Sequence, residues 1–133
     1  MEKEFVPYEL AVKLNALGFD EECFGYYHVN VGYTKGYAFC YFDKPKRFKD
    51  GFDLLAPTFS QAFRWFREKN YYVTITPYIN FKSKPFEIVI EFVHQTGSMD
   101  YIDFEGESEF DTYEEAELAC LTKLIEIVET RTK

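Results

Sequence analysis

"FEIVIEFVHQTGSMDYIDFE", residues 86–105, decides the fold class. From Phe86 to His94 the side chains alternate, with Phe86, Ile88, Ile90, Phe92 and His94 on one side and Glu87, Val89, Glu91 and Val93 on the other. A period of two over this length marks a strand with one buried face. "TGS" at 96–98 turns the chain, and the alternation resumes with Ile102 and Phe104 inward and Tyr101, Asp103 and Glu105 outward.

Working outward, the same period recurs upstream. "YYVTITPYI" (71–79) puts Tyr71, Val73 and Ile75 on one face, and Pro77, which lacks an N–H, places that end at a sheet edge or bulge. "FGYYHVNV" (24–31) and "YAFCYF" (37–42) bracket "GYTKG", a hairpin connection. The segment 43–57, "DKPKRFKDGFDLLAP", reads as a long surface loop.

Three segments carry the helical period instead. "PYELAVKLNALGF" aligns Leu10, Ala11, Leu14 and Leu17, opens on Pro7 and stops at Gly18. "PTFSQAFRWFREKN" and "DTYEEAELACLTKLIEIVET" open with Thr58 and Thr112, followed three residues on by Gln61 and Glu115, the pattern of a capping box. The apolar stripe of the third helix (Tyr113, Ala116, Cys120, Leu124, Ile127, widened by Leu118, Leu121, Ile125 and Val128) covers about 200° of arc, more than one sheet requires. The excess predicts a helix between neighbours or one shared with a second subunit. The order α-β-β-α-β-β-β-α predicts a single α+β domain over residues 1–133, a mainly antiparallel sheet of about five strands with three helices.

With fifteen Phe, eleven Tyr and one Trp in 133 residues, the chain has ample large side chains to offset its ordering entropy. "MEKEFVPYEL" has acids where a secretory leader needs bases, and no apolar run approaches a membrane span. Cys23, Cys40 and Cys120 form no CxxC pair and are odd in number, so cytoplasmic residence with free thiols is the expectation. A net charge of -8 argues against nucleic acid as the partner.

Nine of the acids lie in "DYIDFEGESEFDTYEEAE" (100–117), which holds no Lys or Arg. An extended backbone would place Asp103, Glu105, Glu107, Glu109 and Asp111 on one side. Such a strip serves as edge protection and helix capping, or as a surface for a basic protein partner. A calcium loop fails on spacing, because Gly106 falls at loop position four when Asp103 is first, so no metal is expected.

Other candidates are scattered. His28 and His94 sit on strand faces rich in aromatic residues and suit a small-ligand or nucleotide pocket, or an unrecognised enzyme. No GxSxG, Gly-rich phosphate loop, HExxH or CxxC motif is present, and no cofactor is implied. Glu87 and Glu91 share one strand face. Arg64, Trp65 and Arg67 on the second helix offer an aromatic, basic surface, although a lone Trp is more often core. The basic clusters "KPKRFK" (44–49) and "FKSKPF" (81–86) read as solvated loops.

"EFVPYELAVKLNALGFDEECFGYY", "LLAPTFSQAFRWFREK" and "FDTYEEAELACLTKLIEIV" resemble a family of small uncharacterised proteins of phages and mobile elements of gut Bacteroidetes, crAss-like phages among them. The resemblance implies a small accessory protein in the host cytoplasm and carries no activity, cofactor or catalytic residue with it. The expectation is a non-enzymatic protein that binds a host or phage macromolecule, with homodimerisation through the third helix as a further possibility.

Overall fold

The computed structural model describes residues 2–30, 36–47, 53–77, 85–102 and 108–131. Among these residues the fold is α+β, with three helices and two antiparallel sheets. The elements are α1 (Tyr8–Ala16), β1 (Cys23–Asn30), β2 (Gly36–Lys46), β3 (Asp53–Ala56), α2 (Phe59–Arg67), β4 (Tyr71–Pro77), β5 (Phe86–Val93), β6 (Met99–Ile102), β7 (Glu109–Phe110) and α3 (Tyr113–Arg131). The expected order is present with two short strands added, β3 and β7. The strands form sheets of three and four rather than one of about five. The chain divides into two compact units, the first reaching to Ala62 and the second spanning Phe63–Arg131.

In the first unit β1 lies between β2 and β3. Cys23, Gly25 and Tyr27 of β1 are buried, while Phe24 and His28 on the other face are exposed. Aromatic rings assemble on the buried face: Phe5 meets Phe39 at 4.9 Å, and Tyr8 stacks on Tyr37 at 4.1 Å with Tyr27 edge-on to both. The buried Tyr27 hydroxyl donates to the Val6 carbonyl at 2.8 Å, so its burial leaves no orphan donor. α1 ends as its sequence predicts. Gly18 adopts φ 103°, its N–H reaches Asn15 O and the Phe19 N–H reaches Leu14 O, which closes the helix with a left-handed glycine.

The expectation of a loop over 43–57 is corrected at both ends. β2 runs on to Lys46, and Asp53–Ala56 is a strand paired with Gly25–His28. "DLLA" has no period of its own. Pairing with β1 and burial of Leu55 and Ala56 make it a strand, a tertiary gain overriding a weak local signal.

In the second unit β5 is central, with β4 on one side and both β6 and β7 on the other. Pro77 ends the edge strand β4, where its missing N–H costs no ladder bond. α3 lies on the Ile88 face. Its small residues Ala116 and Cys120 are buried with Ile88, and Phe63, Val73, Ile75, Phe86 and Phe110 pack around them. Thr58 and Thr112 cap α2 and α3 through their hydroxyls, each 3.1 Å from the N–H three residues on. The reciprocal half of the expected box at α2 is replaced: the Gln61 amide donates to the Glu22 carbonyl at 2.8 Å. α2 closes on Asn70 at φ 72°, a left-handed position that Asn tolerates.

Gly25 has no room for a side chain. A Cβ there would lie 2.6 Å from the Phe5 ring and 2.9 Å from the Ala56 carbonyl oxygen, and the second contact is rigid backbone. Gly25→Ala is therefore expected to lower stability by about 1–3 kcal/mol, read as a fall in the urea midpoint.

Candidate functional site

The face of the second sheet opposite α3 holds the strongest cluster of chemistry. Register sets its rows. Tyr72, Glu91 and Tyr101 lie opposite one another across β4, β5 and β6; Thr76, Glu87 and Glu109 form a second row across β4, β5 and β7. Thr74 faces Val89, and Val93 faces Met99. Tyr101 is 71% exposed, Met99 53% and Tyr72 43%, so apolar surface surrounds the acids. The described positions of this face supply three carboxylates and no Lys or Arg.

Two features separate this arrangement from ordinary solvation. Glu87 and Glu91 stand on the central strand, so edge protection does not explain them. Glu109 stands directly opposite Glu87, so the register gathers two carboxylates into one cross-strand row.

Of the expected acidic strip, Asp103, Glu105 and Glu107 lie outside the described residues. The other two part company. Glu109 joins Glu87 on the sheet face opposite α3, whereas the chain bends at Asp111, which precedes the Thr112 cap at the positive end of α3. The extended geometry that would align them ends after two residues of β7, because helix initiation takes over. The sequence pattern put Tyr101 on the outward face but did not bring Tyr72, Met99 and Tyr101 together around the acids. Their alternation was visible, but their register against Glu91 and Val93 was not.

The two histidines belong to different units, and each has its own aspartate. His28 Nδ1 lies 2.8 Å from Asp53 Oδ1, an exposed pair joining β1 to β3. His94 Nε2 is 2.5 Å from Asp100 Oδ2, and its ring is edge-on to Phe92 at 4.8 Å. An open hollow of about 520 Å³ beside His94 is lined by Asn70, Phe92, Gln95, Thr96 and Ser98. Its hydroxyls pair with each other, Thr96 Oγ1 to Ser98 Oγ at 3.2 Å.

Arg64 and Arg67 are exposed, but Trp65 between them is only 8% exposed. Its indole packs on Phe66 at 5.1 Å, with Lys69 Nζ 4.4 Å from the ring centroid, so Trp65 is part of the core.

Burial pushes the Cys23 and Cys120 thiols up to about 12, with nearby Glu21 and Glu117 adding to the effect. Both thiols therefore stay protonated at neutral pH and are poor nucleophiles. Among the described residues no group of three or more His, Cys, Asp or Glu side chains is placed to hold a metal ion. Nor, among them, is any helix long and apolar enough to cross a membrane.

Comparison with known proteins adds no relative: no family model, curated protein or solved structure matches this chain.

Glu117 on α3 gives a pH test of the surrounding electrostatics. Burial, then repulsion from Glu114, raises its pKa above the usual carboxylate value. A carboxyl whose folded pKa is raised stabilises the fold while protonated, and that contribution is lost as pH rises through the folded value. Glu117→Gln is expected to melt higher than the parent chain at pH 7. The difference should vanish below about pH 4, where both side chains are neutral.

Proposed function

We propose that this chain is a non-enzymatic binding domain whose second-sheet face docks a cationic segment of a protein partner. The observation that carries the reading is the register of Glu87, Glu91 and Glu109 on the half-exposed sheet face opposite α3, with Glu91 flanked by Tyr72 and Tyr101. Arg or Lys side chains laid across this face would pair with its carboxylates and stack on the tyrosine rings. Val89, Val93 and Met99 supply apolar contact for their aliphatic stems. The hollow beside His94 is a weaker site for a small ligand, since its principal polar groups already bond to one another.

The resemblance of the helical segments to phage and mobile-element proteins supports an accessory role in the host cytoplasm, with a host or phage protein as the occupant. The net charge of -8 adds long-range attraction to any basic partner and opposes nucleic acid.

Fluorescence anisotropy with labelled nona-arginine tests this reading, provided that bulk charge is controlled. Glu87→Gln/Glu91→Gln/Glu109→Gln is expected to weaken binding by about tenfold or more. The charge-matched control Glu9→Gln/Glu22→Gln/Glu68→Gln should change it little. Equal loss in both triple variants would reduce the effect to net charge and overturn the assignment, as would a parent chain that does not bind.

A further inference from the structure

α3 leaves a second surface on the second unit, on the side of the helix next to β7. A groove of about 510 Å³ runs beside it, with Phe110, Leu118, Ala119 and Thr122 as its floor and Glu115, Lys123 and Glu126 at its rim. Leu118 is 41% exposed, although the rest of the helix buries Ala116, Cys120, Leu121, Leu124, Ile125 and Val128. The Thr122 hydroxyl donates to the Leu118 carbonyl at 2.8 Å, so this position brings no unsatisfied donor into the groove.

Two of the three rim charges, Glu115 and Lys123, are self-complementary. Glu115, Ala119 and Lys123 are spaced i, i+4, i+8 and so lie on one ridge of the helix. A two-fold axis through Ala119 sets Glu115 of one copy opposite Lys123 of the other, and the reverse pair follows by symmetry. Ala119 at the crossing point is small enough for two helix backbones to approach closely. Leu118 of each copy would then lie against Ala119 and Thr122 of its neighbour. Within one copy Glu115 and Lys123 are two turns apart, out of reach of each other. The within-helix alternative for Lys123 is Glu126, one turn on.

We infer that the occupant of this groove is a second copy of the chain, held through antiparallel α3 helices crossing at Ala119. This goes beyond the binding reading and does not rest on it. A dimer built this way leaves the acidic face of each second sheet, opposite α3, free for a partner, and two such faces would act together on a bivalent target.

Sedimentation equilibrium of the full chain over a concentration series tests the inference. The parent chain is expected to approach twice its monomer mass. Glu115→Lys and Lys123→Glu, each alone, put like charges across the axis and should weaken association by about tenfold or more. An equimolar mixture of the two variants restores both opposite-charge pairs, and its association should recover. Circular dichroism confirms that the variants fold, and Leu118→Arg, which puts a charge on the exposed apolar contact, should remain monomeric in every mixture. A parent chain monomeric throughout would overturn the inference. So would a dimer indifferent to all three substitutions, or single variants that do not recover on mixing.

Discussion

Seating α3 on the Ile88 face is the constraint on which the second unit depends. A helix approaches a sheet closely only where small side chains face it, and Ala116 and Cys120, both fully buried, occupy that position against Ile88. Side chains on a strand alternate, so turning Ile88 and Ile90 toward α3 forces Glu87, Val89, Glu91 and Val93 to the other side. No freedom remains to hide the acids. A one-residue slip of β5 would bury two carboxylates and expose the core, at a cost far beyond the few kcal/mol by which domains are stable. The acidic, tyrosine-flanked face is thus a consequence of core packing.

The first unit is held together by rings. Phe5, Tyr8, Tyr27, Tyr37 and Phe39 form edge-on and stacked contacts, each typically worth about 0.5–1.5 kcal/mol beyond area burial. The high aromatic content seen in the sequence finds its physical use here. Gly25 takes part by absence, since the Phe5 ring occupies the volume where a Cβ would stand.

Much of this architecture was legible because its signals are local. The alternation of 86–94, the stop at Gly18, the threonine caps and the edge position of Pro77 each depend on neighbours within a few residues, and the structure bears all of them out. What escaped depends on contacts distant in sequence. β3 exists because β1 and burial recruit "DLLA", which carries no strand period itself. The pairing of Glu87 with Glu109 joins residues far apart in the chain, and no pattern within either segment specifies that register. The expected strip from Asp103 to Asp111 assumed one extended run, but helix initiation at Thr112 bends the chain away after Phe110. Trp65 followed its composition and went to the core.

The sequence contains two methionines, and Met99 lies on the open sheet face opposite Val93, 53% exposed. Methyl-labelled methionine therefore gives one reporter within the proposed binding face and one at the chain start. Nuclear magnetic resonance of the full chain titrated with nona-arginine reads both at once. A shift of the Met99 methyl signal that saturates with binding, while Met1 stays fixed, is the result this account predicts. Saturable binding that leaves Met99 unmoved would place the cationic partner elsewhere and contradict it.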